Sequence, residues 1–506
     1  MNTTDSSGWL IASMEVMSAL FIVVAGVVVL ILFAVFIYDI TQTKKAILKN
    51  FPIIGHFRYL FEELGEFFRQ YFFAMDREEL PFNRAQRSWA YRAAKGLNNT
   101  VAFGSTRNLL EPGTVIFVHC PFPTLYEDAV QTKSIVIGST CKQPYEAKSF
   151  LNISGMSYGA ISKPAVKALS NGARQSDCWM NTGEGGLSPY HLEGGADLVF
   201  QIGTAKYGVR NLAGDLDDDC LREVVSHEQV KMFEIKLSQG AKPGKGGILP
   251  GVKVTAEIAS IRGIPVHEDS ISPNRHADIA NVDELLDIIV RVREVTGKPV
   301  GFKTVLSSSS WLDDLFRKVH ERGVDSAPDF ITVDSADGGT GAAPMPLMDD
   351  VGLALFESLP MLVDKVTEYG LRDRIKIIAS GKLITPTRAA TALCMGADFI
   401  VSARGFMFSL GCIQAMQCNK NTCPTGITTH NIRLQKGLNP ASKAVRVANY
   451  HHNLMHEVCT IAHSCGVREP RELGRQHARV VVSNGMSIPM DELYPPVQEK
   501  IHLVTD

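Results

Sequence analysis

The longest apolar run lies near the amino end, where Val16 to Tyr38 is 23 residues without a charge, dominated by Val, Ile, Leu, Phe and Ala. As a helix it spans roughly 35 Å, enough for a bilayer core of ~30 Å. Asp5 and Glu15 precede it with no Lys or Arg, unlike a cleaved signal, and Lys44, Lys45 and Lys49 follow it. The positive-inside rule then puts residues 1–15 outside, the transmembrane helix at 16–38 and everything after it in the cytoplasm. A single-pass protein of the inner (cytoplasmic) membrane is expected, with a large soluble body on the cytoplasmic side.

Residues 39–149 form an accessory region. Its first half mixes aromatic and charged residues, as in Phe67-Phe68-Arg69-Gln70-Tyr71-Phe72-Phe73. That mixture suits either a membrane-surface helix pair or an amphipathic pair packed on the main domain. Its second half reads as short strands and turns, among them Val115–Val118 and Ser134–Ile137. From Phe150 onward, short apolar strands alternate with helix-period segments such as Asp283 to Glu294 and Thr385 to Met395. Strands are expected at 151–154, 233–236, 300–303, 330–333, 375–379 and 399–401, with another near 179–181. This approaches the eight of a TIM (β/α)8 barrel over 150–430, although the pattern does not place the sixth barrel strand. An open doubly wound sheet is the alternative, but no Gly-x-Gly-x-x-Gly follows the first strand. A helical extension is expected over 431–506, and its His451, His452 and His456 read as structural.

Composition narrows the picture. Hydrophobic residues at 45% and charged residues at 21% of 506 exclude disorder over most of the chain. A net charge of −2 offers no electrostatic case for a nucleic-acid partner. Ten cysteines are too few for a disulfide scaffold in a chain of this length, yet Cys412, Cys418 and Cys423 fall within twelve residues.

Glycine and polar residues follow nearly every strand, at the barrel face where active sites form. Backbone N–H groups at Gly381 and Gly405 can donate to a phosphate, with Lys382 or Arg404 adding charge. Lys242-Pro243-Gly244-Lys245-Gly246-Gly247 lacks the full frame of a nucleotide phosphate loop and reads as a flap. The three cysteines, followed by Pro424, suit iron–sulfur ligation better than zinc, for which His430 is the candidate fourth ligand. Three thiolates can hold a three-iron cluster. Such a cluster beside a phosphate site asks for a cofactor handling one and two electrons, and a flavin does so.

Four segments then carry a resemblance. They are Ser154-Gly155-Met156-Ser157-Tyr158-Gly159-Ala160-Ile161-Ser162, Asn181-Thr182-Gly183-Glu184-Gly185-Gly186, Asp337-Gly338-Gly339-Thr340-Gly341-Ala342-Ala343-Pro344 and the cysteine loop. In this order they resemble the synthase domain of glutamate synthase, from about Phe150 to Ile427. The resemblance implies a TIM barrel carrying FMN and a [3Fe-4S] cluster, which reductively forms glutamate from 2-oxoglutarate and ammonia. By the same resemblance Cys412, Cys418 and Cys423 are the cluster ligands, and Met156, Ser157 and Asn181 line the flavin ring. Lys303 is the strand-end lysine near flavin and substrate, and Glu184 the acidic residue of its loop. Gly338, Gly339 and Thr340 wrap the cofactor, while Ser380, Gly381, Arg404 and Gly405 surround its phosphate.

The chain departs from full glutamate synthase in showing no glutaminase region ahead of residue 150. Free ammonia, an amine or a partner's product is therefore the expected nitrogen source, and the product glutamate or an N-substituted glutamate. Arg275 and His276 are further candidates for holding a dicarboxylate. No ferredoxin or nicotinamide domain is visible, so electrons are expected from an external carrier: a ferredoxin, a flavoprotein subunit or a quinone-linked membrane partner. The alternatives are a dehydrogenase for another amino or hydroxy acid, and a non-catalytic electron-transfer subunit.

Overall fold

The computed structural model describes residues 5–499 except 74, 131 and 484, so the outermost parts of the expected 1–15 and 431–506 segments lie outside it. Residues 1–84 and 85–506 form two compact units. In the first, the apolar run sits inside one helix, Asp5–Thr41. Within Gly8–Thr41 an 18-residue window reaches a mean hydropathy of 3.4 with none of its residues buried. Shorter helices follow at Ala46–Asn50 and Gly55–Phe68.

The second unit holds a closed, all-parallel barrel. Its strands are β1 (Leu151–Ile153), β2 (Met180–Asn181), β3 (Leu198–Ile202), β4 (Val230–Lys236), β5 (Val300–Thr304), β6 (Phe330–Asp334), β7 (Lys376–Ser380) and β8 (Phe399–Ser402). Each pairs with the next, and β8 returns to β1 through Ile400 beside Leu151. The TIM barrel expected from the pattern is therefore present. Its unplaced strand is the third, not the sixth. Only 16 residues separate β2 from β3, and they hold one four-residue helix, Pro189–Leu192. No helical period announces the strand, and Gln201 interrupts its apolar run.

One end of the barrel is plugged. The hairpin Ile135–Ile137/Tyr145–Ala147 contributes Ile137, Tyr145 and Ala147 to a cluster with Trp179, Phe330 and Phe399 from the barrel. Burying each such ring stabilises the fold by about 1.5–3 kcal/mol. At that end Asp329, fully buried, accepts from Val300 N at 2.8 Å and pairs with Arg293 and Arg374 at 2.9 and 2.8 Å. These contacts leave the opposite end, at the strand C-termini, for chemistry.

After the barrel, helix Pro440–Ser464 packs on Lys163–Gln175, where a Cβ at Gly172 would lie 2.4 Å from Val447. His451 on this helix donates to the Leu151 carbonyl at 3.0 Å, a structural role. Helix Arg84–Ala94 docks beside it through Trp89 to Glu457 at 3.0 Å and Asn453 to the Ala93 carbonyl at 2.9 Å. This helix of the accessory region is thus packed on Pro440–Ser464. Beyond Ser464 the helices are short, at Pro470–Glu472, Arg475–His477 and Met490–Leu493, and Ala478–Ser483 and Met486–Pro489 form a sheet with Val115–Phe117.

Candidate active site

Strand alternation puts one side chain in two inside the barrel, and near the mouth several of those are polar. Glu234 on β4 is 3% exposed. One of its oxygens accepts from Asn181 Nδ2 at 2.8 Å and Gln201 Nε2 at 2.6 Å, and the other from the Thr332 hydroxyl at 2.7 Å. Asn181 Oδ1 in turn accepts from Gly183 N at 2.9 Å. Both ends of the Asn181 amide are thereby fixed.

On β5 Lys303 reaches Asp334 Oδ2 on β6 at 3.1 Å. Burial works against its ammonium, but Asp334 and then Glu234 outweigh it and hold the proton on more tightly than usual. Burial likewise works against the Asp334 carboxylate. Lys303, the Gly240 N–H at 2.9 Å and Ser380 together keep it ionised. Breaking a pair this deeply buried costs about 3–5 kcal/mol.

Glu184 follows β2 and pairs with Lys236 at the end of β4, 2.9 Å away. Burial pushes its carboxyl up, and Lys236, Lys242 and Arg262 overcome that, holding it below the usual carboxylate range. The loop after β4 closes over this group, because a Cβ at Gly247 would lie 2.2 Å from Glu184 Oε1. Lys242, 4% exposed, makes no ion pair among the described residues, and burial pulls its pKa down to about 8. Arg262 is also buried without a carboxylate partner among the described residues. It donates to Ser270 Oγ and the Tyr158 carbonyl, both at 3.2 Å. Three cations thus surround one carboxylate.

The glycine loops meet around the same mouth. Gly183 has φ +66°, and a Cβ there would lie 2.5 Å from Ser157 N, so the loops of Met156-Ser157 and Asn181–Glu184 touch backbone to backbone. Gly338 packs in the same way on Gly240, and a Cβ at Gly339 would meet Arg404 Nε at 2.8 Å. The Thr340 hydroxyl bonds to the Ala342 carbonyl at 3.2 Å. Ser380 ends β7, and the half-buried N–H groups of Gly381 and Lys382 after it have no hydrogen-bond partner among the described residues. The Lys382 ammonium pairs with Asp337 at 2.7 Å, and Arg404 Nη2 donates to the Asp337 carbonyl at 3.5 Å. Gly405 packs on Tyr450. Free backbone donors beside a guanidinium suit the phosphate of a mononucleotide cofactor.

The three cysteines lie on the irregular loop after helix Arg404–Leu410. Burial pushes the Cys412 thiol up to about 12, and Cys418 and Cys423 add to the rise, so the three sulfurs are within electrostatic reach. Gln414 N donates to Cys412 Sγ at 3.5 Å, and buried Lys253 donates to the Cys418 carbonyl at 3.3 Å. Thiols met by N–H donors and a buried cation are the donor chemistry an iron–sulfur cluster needs. Among the described residues no three metal-ligating side chains are drawn into a formed metal centre. His430, the zinc alternative, has its Nε2 on the Gly159 carbonyl at 2.8 Å.

Two further candidates bond to backbone carbonyls. Arg275 donates to the carbonyls of His276 and Ile279 at 3.0 and 3.2 Å, and His276 bonds to the Lys236 carbonyl at 3.0 Å. Sequence reasoning missed Glu234, Asp334, Gln201, Lys236, Lys242 and Arg262. A Glu in the buried run Phe233-Glu234-Ile235 was the signal available for the first.

A closed parallel barrel with charged residues gathered at its strand C-termini defines an enzyme of the TIM-barrel class. Residues 104–468 match the conserved region in glutamate synthase. The chain belongs to the glutamate synthase family, and that membership indicates an oxidoreductase. It is 38% identical to the glutamate synthase large subunit-like protein YerD of Bacillus subtilis over 94% of this chain and 98% of that one. Against the archaeal-type glutamate synthase [NADPH] of Thermotoga maritima it is 33% identical over 62% of this chain, and the match spans 58% of that relative's length. Among solved structures, mandelate oxidase with (S)-2-phenylpropionate is similar at 16% identity and a TM-score of 0.44, covering 78% of this chain and 99% of that one.

Proposed function

We propose that this protein is an FMN- and [3Fe-4S]-dependent oxidoreductase that makes glutamate, or an N-substituted glutamate, from 2-oxoglutarate and ammonia or an amine. One observation carries the substrate class. Lys236, Lys242 and Arg262 all act on the carboxylate of Glu184 from buried positions, an excess of two positive charges among these four groups. A dicarboxylate brings the two negative charges that balance them, and burying it there leaves no charge uncompensated.

Met156, Ser157 and Asn181 would line the flavin ring with Lys303, and Gly338, Gly339 and Thr340 would wrap it. Ser380, Gly381, Arg404 and Gly405 would take its phosphate, a fit supported by the free N–H groups at the end of β7. Held there, FMN would supply hydride-transfer chemistry toward an imine. Cys412, Cys418 and Cys423 would hold the cluster, whose chemistry would be single-electron transfer with an external carrier.

Lys303 stays protonated through Asp334 and presents a fixed positive charge. Glu184, kept ionised by its cations, is placed to take a proton from the amine as the imine forms. The Gly247 loop packs against the Glu184 carboxylate and would keep water from it. Helix Gly8–Thr41 would anchor the chain in the cytoplasmic membrane, supported by its hydropathy and the lysines that follow.

The test is an anaerobic preparation of the full chain in detergent, assayed for FMN, iron and a visible spectrum. It is then reduced with dithionite and given 2-oxoglutarate plus ammonia. Return of oxidised-flavin bands with labelled glutamate formed is expected. Bound flavin that stays reduced with every 2-oxo dicarboxylate and amine overturns the substrate assignment, and folded protein without flavin overturns the cofactor.

A further inference from the structure

Helix Gly55–Phe68 carries Phe57, Leu60, Phe61, Leu64 and Phe68 within an arc of about 100°, with Arg58, Glu62 and Glu63 off that arc. Such a stripe ordinarily packs on a core. Here Phe57 is 54%, Phe61 65% and Phe68 43% exposed. The chain reaches this helix from the apolar one through residues 42–54, which hold the short helix Ala46–Asn50. Asp39, in the last turn of Asp5–Thr41 and fully buried, accepts from Ile53 N and from His56 Nε2, each at 2.9 Å. These bonds tie the start of Gly55–Phe68 to the end of the apolar helix.

We propose that this stripe lies in the plane of the membrane, seated at the headgroup–acyl boundary of the bilayer that Gly8–Thr41 crosses. The inference rests on that helix being a membrane span. Continuity argues for lipid as the occupant, because the Asp39 tie holds the stripe where the span leaves the apolar layer. The charges argue the same way. Arg58 is outnumbered by Glu62 and Glu63, so attraction to anionic headgroups does not hold this helix, whereas burial of its exposed rings does. Lys44, Lys45 and Lys49 in the connection then stand at headgroup level.

The experiment places a photoreactive benzophenone amino acid at Phe61, at Glu62 or at Val24 in the full chain. Each variant is reconstituted in phosphatidylcholine vesicles and irradiated, and its adducts are read by mass spectrometry. All three positions are exposed, so the substitutions add no core strain. Lipid adducts at Val24 and Phe61, with at least about tenfold less at Glu62, are the expected result. Adducts at Val24 alone overturn the in-plane helix and leave the span standing. Absence of lipid at both Val24 and Phe61 overturns both readings. A protein adduct at Phe61, from a second copy of the chain, overturns lipid as the occupant, as does equal labelling of Phe61 and Glu62.

Discussion

Replacing Glu234 by Leu and, separately, by Gln isolates what its carboxylate does beneath the site. Glu234 collects three buried hydrogen bonds, from Asn181, Gln201 and Thr332. Leu removes every acceptor while the donors stay in place. At roughly 1–3 kcal/mol for each buried donor left unpaired, the cost is about 3–9 kcal/mol. That is a large share of the ~5–15 kcal/mol by which a domain is stable. Gln retains the geometry, since its carbonyl can accept from both amides while its NH2 donates to Thr332 Oγ1. Among these three bonds it loses charge assistance only, about 1 kcal/mol per bond at most, while both variants alike lose the support Glu234 gives the Lys303 ammonium. Urea unfolding followed by intrinsic fluorescence reads the difference, with Trp179 buried among the same barrel residues as reporter. Glu234→Leu is expected to unfold at markedly lower denaturant than Glu234→Gln. Equal midpoints, or a more stable Leu variant, would refute the reasoning and mean that the three donors find other partners.

Three further outcomes are expected. Gly247→Ala puts a Cβ where Glu184 Oε1 stands, 2.2 Å away; kcat/KM should fall on the order of 10²-fold through misplacement, with the thermal midpoint nearly unchanged. Lys242 titrates near pH 8, so the KM for a dicarboxylate should rise above that pH, and Lys242→Met should abolish this limb of the profile. Its folded pKa lies below the unfolded value, so its own contribution to fold stability grows as pH climbs from about 8 toward 10.5. His191, His276 and His451 are pushed by burial to about 4, 4 and 3. The unfolded chain therefore binds more protons below pH 6.5, and stability should drop as pH falls from 6.5 toward 4, by at most about 3 kcal/mol per imidazole, measurable by denaturation at fixed salt.

The barrel, the apolar helix and the glycine loops were legible in the sequence because each depends on local spacing. A buried parallel strand needs a short apolar run, a membrane-length helix needs about twenty apolar residues, and a loop at a strand end shows its glycines. Gly338, Gly339, Gly381 and Gly405 could be named for that reason. So could Lys303 and Glu184, through the order of the motifs around them. Strand β3 was hidden because a four-residue helix replaces the usual long one before it.

Tertiary structure alone decided which charges meet. Lys303 finds Asp334 across β5 and β6, and Glu184 finds Lys236 across a loop and a strand 52 residues apart in number. No periodicity carries such pairings, because they follow from barrel closure and strand register. Lys242 belonged to a discarded loop until the chain folded it beside Glu184 with no ion-pair partner among the described residues, whereas Arg275 turns one of its nitrogens to its own backbone carbonyls. Residue type sets what a side chain is able to do, and the fold sets whether its charge is already spent on a neighbour or left for a ligand.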